Sequence, residues 1–307
     1  KSTPLRSSRG TIGRPLRILR GESWRMPVDP VKVIGEVLGE PAAQMRNPVN
    51  ADYQCPHINS TCIKRGHGST DTFPVCSVWR WKGRVVNGAP SSSELVCVCP
   101  KRLFAADLVN DVITHCWKGP APANPKLIHE IKMGQEKDMI GNVDCVIADL
   151  DAHNKVKEFI SLELQAVDVT GSYRPAYDAL LNSQVMESKP SYGFNFANVY
   201  KRFITQLIAK GYYHHHWGTK IIAVIQDVVY RDICERIQIP PAADPKNSNV
   251  VFMVYKYVPD PNNAGAQILK LDQVVGTQHT ILQNAVLYKT PPSKQDFCRH
   301  IESKLSG

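Results

Sequence analysis

Long hydrophobic runs are missing from this chain of 307 residues. Its longest apolar runs, such as residues 221–225 (IIAVI), are far shorter than the roughly 20 residues that cross a bilayer. The arginine-rich beginning also lacks the hydrophobic stretch of a secretory signal, and we therefore expect a cytoplasmic protein with no membrane partner. Internal repeats and long low-complexity segments are absent too. With 43% hydrophobic and 21% charged residues, the composition favours a folded globular protein over a disordered one.

Acidic residues are in short supply. The chain has 28 acidic against 37 basic residues, which gives a net charge of +9. Much of this excess lies in residues 1–25, where seven basic residues face the single acid Glu22. A basic segment of this kind suits an arm along a polyanion such as DNA, and a solvated tail is an equally good interpretation.

Proline and glycine divide the chain. Residues 119–125 (GPAPANP) favour an extended linker, so we predict one unit over residues 1–118 and another over residues 119–307. In the first unit, residues 31–38 (VKVIGEVL) predict a short helix that ends at Gly39. Strands are expected there at residues 75–81 and 94–99.

The second unit has an α/β pattern. Residues 199–210 carry apolar side chains at i, i+4 and i+8, which predicts an amphipathic helix capped by Asn198 and ended by Gly211. A buried strand follows it, so parallel pairing with the strand before the helix is expected. The predicted fold is a mixed β-sheet flanked by helices. Its expected strands are residues 126–131, 142–150, 159–167, 221–229 and 250–258, of which the second and third form an antiparallel pair.

Polar side chains interrupt one of these strands, residues 159–167 (FISLELQAV). Side chains alternate between the two faces of a strand, so Glu163 and Gln165 share one face while the other face is apolar. Asp144 lies on the preceding strand and approaches Glu163 if the two strands pair. Two carboxylates held close together repel each other, and a divalent cation such as Mg²⁺ relieves that repulsion and can activate water against a phosphodiester. The alternative is that both acids are solvated on the open face of a sheet.

An Asp on one strand followed by Glu-x-Gln on the next is a variant of the PD-(D/E)xK nuclease signature. Residues 161–173 (SLELQAVDVTGSY) and 198–203 (NVYKRF) resemble segments of the NotI-like type II restriction endonucleases. The order of motifs is also similar, because a cysteine-rich stretch precedes the nuclease strands. The resemblance covers roughly residues 31–230, in short islands.

This resemblance implies a role for each residue of the motif. Asp144 and Glu163 are expected to bind catalytic Mg²⁺ together with the backbone carbonyl of Leu164. Gln165 takes the place that Lys has in most of the superfamily, near the attacking water. A neutral amide orients water but supplies no positive charge. Glu130, on the strand before Asp144, is either an accessory acid or an ordinary surface residue.

Nine cysteines make an odd count, and five of them fall between positions 55 and 99. Their spacing is not the paired CxxC of a zinc ribbon, so buried free thiols compete with a metal site. Cys55-Pro56 and Cys99-Pro100, however, resemble the first and last ligands of a four-cysteine site that holds structural iron in the family. The resemblance implies an N-terminal metal-binding cysteine module that holds Fe, or Zn²⁺ as the alternative. Its ligands would be Cys55, Cys62, Cys76 and Cys99, with Cys97 as the alternative to Cys99.

Candidate DNA contacts follow the predicted catalytic strand. They lie in the loop after it and in the first turn of the next helix, at Ser172, Tyr173, Arg174, Lys201 and Arg202. Arginine is the best reader of guanine, because it donates two hydrogen bonds to the O6 and N7 edge. The alternative for each is an ordinary solvated surface residue.

These expectations combine into one function. The chain is predicted to be a homodimeric, Mg²⁺-dependent type II restriction endonuclease of a restriction-modification system, acting on double-stranded DNA at a GC-rich palindrome and on no small-molecule substrate. One alternative is a nuclease of the same fold in DNA repair or mobile-element biology. Another is a metal-stabilised DNA-binding protein that cuts nothing.

Overall fold

The computed structural model describes residues 27–45, 53–66, 70–86, 89–134, 141–241, 244–288 and 291–305. The basic segment of residues 1–25 lies outside these described residues. Within them, no helix is long and apolar enough to span a membrane.

The described residues form fourteen strands and six α-helices. The strands are β1 Ile34–Val37, β2 Glu40–Pro41, β3 Gln54–Cys55, β4 Ser60–Thr61, β5 Val75–Val86, β6 Ala89–Cys97, β7 Pro125–Met133, β8 Gly141–Leu150, β9 Val156–Gln165, β10 Val169–Gly171, β11 Tyr192–Phe194, β12 Ile221–Gln226, β13 Val250–Pro259 and β14 Gln267–Thr277. The α-helices are α1 Leu108–Cys116, α2 Arg174–Leu181, α3 Phe196–His216, α4 Asp227–Arg236, α5 His279–Leu287 and α6 Lys294–Leu305.

The largest sheet has six strands in the order β14-β13-β12-β9-β8-β7. Strand β12 pairs in parallel with β9 and β13, and the remaining pairs are antiparallel. Every residue of β12 is buried, with Ile221, Ala223 and Ile225 in one apolar cluster and Ile222 and Val224 in the other. Helices α3 and α4 cover the first face and α1 covers the second. The predicted mixed sheet flanked by helices is therefore confirmed, with its parallel and antiparallel pairs.

A second, four-stranded sheet has the order β2-β1-β5-β6. The helix predicted over residues 31–38 is wrong, because Ile34–Val37 forms the fully buried strand β1. Leu38 and Gly39 have φ of 48° and 80° and turn the chain back into β2. A glycine supports such a left-handed backbone without strain, so Gly39 closes a hairpin here rather than a helix.

Hydrogen bonds join the two sheets. The Gln226 side chain, at the end of β12, accepts from the Cys97 amide at 2.8 Å and donates to the Leu95 carbonyl at 2.7 Å. Residues 117–124 contain neither helix nor strand, as expected of the segment predicted to separate two units. The division into units at that segment stays a prediction.

Helix α3 begins earlier and ends later than the sequence predicted. Its N-cap is Asn195, whose side chain accepts from the Asn198 amide at 3.0 Å. Gly211 does not end the helix. A Cβ built on Gly211 would lie 2.7 Å from Val250 and 2.9 Å from His279, so this glycine allows close packing of α3 against β13 and α5. The strand predicted over residues 221–229 is also shorter, since α4 begins at Asp227.

Candidate active site

Asp144 lies where β8 and β9 separate. The recorded pairing of these strands ends at Cys145 and Leu162, one residue before Asp144 and Glu163 would face each other. The Leu164 amide donates to Asp144 Oδ2 at 2.8 Å, and this carboxylate oxygen takes the place of a backbone carbonyl from β8. The carboxylate therefore sits at the fork between the strands, and its charge is close enough to raise the pKa of Glu163. The predicted approach of the two acids is confirmed.

Glu163 points from β9 towards helix α3 and is only 7% exposed. The alternative of a solvated acid on an open sheet face is therefore wrong for this residue. Its Oε1 atom pairs with Nζ of Lys210, and the same ammonium donates to the Asn142 carbonyl at 2.6 Å. Burial raises the pKa of Glu163 to about 7; the Lys210 ion pair lowers it and Asp144 raises it further. The carboxylate is thus held between a nearby cation and a nearby acid in a desolvated site.

Helix α3 and strand β9 match in spacing along this contact. Lys210 and His214 are one helical turn apart and lie over Glu163 and Ser161, which are two residues apart on the strand. His214 Nδ1 lies 2.7 Å from the Lys210 carbonyl, so Nδ1 carries a proton and Nε2 accepts from the Ser161 hydroxyl at 2.8 Å. Burial lowers the pKa of His214 to about 4. His214 is therefore a neutral packing residue.

Gln165 lies on the same side of β9 as Glu163 and is half-buried. Its amide nitrogen donates to the backbone carbonyl of Ala166. Leu164, between the two, turns its side chain into the apolar cluster on the other face of the sheet. The alternation predicted from the sequence is therefore confirmed for these three residues.

Glu130 occupies an irregular point of β7. The flanking residues pair as His129 with Cys145 and Ile131 with Val143, which leaves Glu130 opposite Asp144. Its φ of 55° is unusual for a residue with a side chain. The carboxylate is exposed and lies 3.6 Å from the Lys101 ammonium. Glu130 is therefore near the acids but separate from the buried pair, and its two interpretations both stand.

The two acids fit a hard cation such as Mg²⁺. Asp144 uses Oδ2 for Leu164, and Glu163 uses Oε1 for Lys210. The second oxygen of each carboxylate makes no hydrogen bond to any described residue. Two carboxylates with unused oxygens, beside a backbone carbonyl, form the kind of all-oxygen donor set that Mg²⁺ prefers.

The candidate metal-binding cysteines lie on or close to four strands, with Cys55 on β3, Cys62 just after β4, Cys76 on β5 and Cys99 two residues after β6. Burial raises the pKa of Cys62, and Cys99 and Cys55 raise it further. Burial likewise raises the pKa of Cys76 well above its usual value, and Cys99 adds to this effect. In the part of the chain that the structure describes, however, no group of three or more His, Cys, Asp or Glu is arranged to hold a metal ion.

Cys97, the alternative to Cys99, is directed elsewhere. Its thiol is 1% exposed and contacts the Cys99 carbonyl at 3.1 Å, and burial raises its pKa to about 12. Cys99, by contrast, interacts electrostatically with both Cys62 and Cys76. This placement favours Cys99 as the fourth member of the cluster.

The five candidate DNA-binding residues fall into two groups. Tyr173 is 6% exposed, and its hydroxyl accepts from the Lys64 ammonium at 3.1 Å. Arg174 donates to Asp178 at 2.9 Å and to Asp71 at 3.4 Å. The other three are exposed: Ser172 in the loop, and Lys201 and Arg202 on α3. Among the described residues, neither Lys201 nor Arg202 forms an ion pair.

Lys210 was not predicted from the sequence as a site residue. The signal for it was present, because Phe203, Leu207, Lys210 and His214 continue one face of the amphipathic helix. A lysine on an apolar helical face must find a partner, since an unpaired buried ammonium is costly. Only the long-range packing of α3 on β9 shows that this partner is Glu163.

Two acids at the fork of a mixed sheet can hold a divalent cation, and a divalent cation can assist the cleavage of a phosphodiester. Comparison with known families makes this specific. The chain matches the family model of restriction endonuclease NotI over residues 36–268, well over half of its length. No curated protein matches it. The chain belongs to the NotI family of restriction endonucleases, which confirms the resemblance drawn from the motif residues. It is accordingly a sequence-specific endonuclease that acts on double-stranded DNA.

Proposed function

We propose that this chain is the subunit of a homodimeric type II restriction enzyme that hydrolyses DNA with Mg²⁺ at a GC-rich palindrome. The observation that carries the proposal is the pair of acids at the fork of β8 and β9. Asp144 is fixed there by the Leu164 amide, and Glu163 by the Lys210 ammonium. Each carboxylate keeps one oxygen for a cation.

The residues of the site divide the work. Asp144, Glu163 and the backbone carbonyl of Leu164 hold the Mg²⁺ ion. When bound, Mg²⁺ supplies positive charge that stabilises the phosphate in the transition state. Gln165 orients the attacking water, because its amide both donates and accepts hydrogen bonds. It does not act as a general base, since a neutral amide takes up no proton in this pH range.

DNA binding is assigned first to the exposed candidates. Lys201 and Arg202 carry charges that no described acid neutralises, and Ser172 lies in the loop after β9; these suit contacts with the phosphate backbone. Arg174 can read a base edge if it leaves Asp71 and Asp178 on binding. Tyr173, which is buried, contributes by supporting this loop through Lys64.

Homodimerisation follows from the symmetry of the substrate. Cutting both strands of a palindrome needs two active sites related by a two-fold axis, and a symmetric dimer provides them. The preference for a GC-rich palindrome rests on the likeness to the NotI family.

We also propose that Cys55, Cys62, Cys76 and Cys99 hold one structural Fe, or Zn²⁺ in its place. The support is the likeness of Cys55-Pro56 and Cys99-Pro100 to the first and last ligands of the family's four-cysteine site, with Cys55 on β3 and Cys62 just after β4. Tetrahedral thiolate sites of either metal stabilise small segments that have little core of their own. Elemental analysis of freshly purified, folded protein should find about one Fe or Zn per chain. Folded protein without either metal would contradict the cysteine site and leave the nuclease proposal untouched.

Digestion of a phage or plasmid DNA, with and without Mg²⁺, tests the catalytic proposal. We expect discrete fragments only with Mg²⁺, and sequencing of their ends should show one shared GC-rich palindrome. Cleavage at random or structured sites would favour a nuclease of repair or mobile-element biology. Intact DNA in several sequence contexts, from protein shown to be folded, would favour a protein that binds DNA without cutting.

A further inference from the structure

Lys210 is a buried cation with an unusual partner. Two lysines in the described part of the chain are buried, Lys210 at 5% exposure and Lys220 also at 5%. The Lys220 ammonium donates only to backbone carbonyls, at 2.8 Å to Cys116, 2.7 Å to Lys246 and 3.2 Å to Pro245. Lys210 instead contacts a carboxylate, and that carboxylate is Glu163 of the active site.

The charges around the site indicate what the contact between Lys210 and Glu163 does. Asp144 and Glu163 place two carboxyl groups at the fork of β8 and β9, and Gln165 next to them is neutral. The residues of β9 beside Glu163 carry no positive charge, because Lys157 lies at the other end of the strand and pairs with Asp149. Lys210 supplies one from the opposite side, from the fourth turn of helix α3. Its alkyl chain lies along the apolar face of that helix, so the charge is delivered into a desolvated site where it acts strongly.

The hydrogen bonds of Lys210 also fix the shape of the site. The ammonium donates to Glu163 Oε1 on β9 and, at 2.6 Å, to the Asn142 carbonyl on β8. It thus bridges the two strands beyond the end of their pairing at Cys145 and Leu162, at a position three residues from Cys145 on β8 and one residue from Leu162 on β9. The bridge links the two strands where their pairing has ended, and through Oε1 it orients the Glu163 side chain.

We propose that Lys210 is a positioning residue of the active site, which supplies from helix α3 the positive charge that Gln165 does not supply and orients Glu163 for the cation. The proposal rests on the nuclease site proposed above. Among the described residues, Glu163 Oε2 accepts no hydrogen bond, and this is the oxygen that the proposal assigns to the cation.

Three substitutions at position 210 separate charge from packing. Lys210→Gln keeps a hydrogen-bond donor but removes the charge, Lys210→Met keeps only the packing, and Lys210→Arg keeps the charge. Lys220→Met is the matched control, because it removes an equally buried ammonium that touches no carboxylate. For each variant, the single-turnover cleavage rate at saturating Mg²⁺ is measured beside the melting temperature and the Kd for DNA in Ca²⁺.

A second variant tests the link to Gln165 directly. If Lys210 provides the charge that position 165 lacks, Gln165→Lys should restore part of the cleavage rate to the Lys210→Gln protein. A purely structural role of Lys210 would not respond to a charge placed on β9. This readout stays useful even when Lys210→Met fails to fold, because the glutamine variant retains a polar group for Asn142.

The expected result is a cleavage rate lower by on the order of 100-fold in Lys210→Gln, with DNA affinity close to that of the wild type. Lys220→Met should melt at a lower temperature yet cleave at a near wild-type rate once folded. Recovery of the rate in Lys210→Arg, or in the double variant with Gln165→Lys, would support the charge. Wild-type cleavage by folded Lys210→Gln would overturn the inference. Failure of the wild-type protein to cut would contradict the proposed function instead.

Discussion

Two buried pairs of glutamate and cation, one in each sheet, differ in how completely they are satisfied. Glu36 in the four-stranded sheet is 2% exposed and uses both oxygens: Arg102 donates to Oε1 at 2.9 Å and to Oε2 at 3.1 Å, and Tyr257 donates to Oε2 at 2.9 Å. Glu163 in the six-stranded sheet uses one oxygen, for Lys210, and keeps the other. The two pairs therefore differ in how many carboxylate oxygens the described residues satisfy.

The surroundings explain why the two sheets solve burial differently. The six-stranded sheet has apolar clusters on both faces. Around the four-stranded sheet, β3 and β4 have two residues each, and Arg102 links β1 to the end of β14 through the Gln267 carbonyl at 3.0 Å. There the buried charges themselves fasten segments together, and every lone pair left over would cost stability.

The strongest test of this comparison exchanges each carboxylate for its amide. Glu163→Gln and Asp144→Asn should each lower the cleavage rate by on the order of 1000-fold, because an amide keeps the shape but not the charge that binds a cation. DNA binding in Ca²⁺ should remain measurable. Cleavage is followed in single-turnover assays on DNA that carries the cognate site.

Glu36→Gln is the matched control for these variants. It removes an equally buried carboxylate far from the fork, so folded Glu36→Gln protein should cleave at a near wild-type rate. A fully active Glu163→Gln or Asp144→Asn protein would remove the active-site assignment.

Breaking the Glu36–Arg102 pair should instead lower the stability of the protein. Arg102→Met leaves Glu36 buried with only Tyr257 to satisfy it, and we expect a loss of about 3 to 5 kcal/mol in the free energy of unfolding. The measurement is urea unfolding followed by fluorescence and circular dichroism.

Arg231→Met serves as the control. That arginine is half exposed and pairs with Glu94 at 2.9 Å at the surface, so its loss should cost less than about 1 kcal/mol. Equal effects of the two substitutions would contradict the structural role of Arg102.

The sequence predicted the fork better than it predicted its surroundings. Strands 142–150 and 159–167 were found because apolar side chains alternate over the second and run nearly unbroken along the first, and local patterns of this kind survive folding. The placement of Asp144 near Glu163 followed from that pairing alone. The burial of Glu163 did not follow, since it depends on helix α3, which lies more than thirty residues away in sequence.

For residues 31–38, the local sequence pattern predicted the wrong kind of element. Their apolar positions suit one face of a helix, yet the long strand β5 offers Ile34–Val37 a partner in an antiparallel ladder. Tertiary pairing then outweighs the weak local preference for a helix. The same limit applies to Lys210, because its apolar neighbours on α3 are visible in the sequence and its acidic partner on β9 is not.

The smallest expected effect is the pH dependence of stability that comes from His214, the histidine beside the Glu163–Lys210 pair. Burial lowers the pKa of His214 to about 4, and its ring lies neutral between Ser161 and Lys210. In the unfolded chain His214 has an ordinary pKa near 6.5. Between about pH 6.5 and pH 4 it therefore binds a proton in the unfolded chain but not in the folded one. Stability from this group is present above about pH 6.5 and is lost as the pH falls towards 4.

His214→Phe should remove this dependence. Between pH 7.5 and pH 5 we expect wild-type protein to lose about 2 kcal/mol more than the variant, as calculated from the two pKa values. Taking the difference between the two curves cancels the titration of the groups whose pKa the substitution leaves unchanged. His153→Phe, at an exposed position in the turn after β8, should leave the curve unchanged. Parallel curves for wild type and His214→Phe would mean that His214 takes up its proton without leaving the sheet, and the packing of α3 on β9 would then be looser than these hydrogen bonds require.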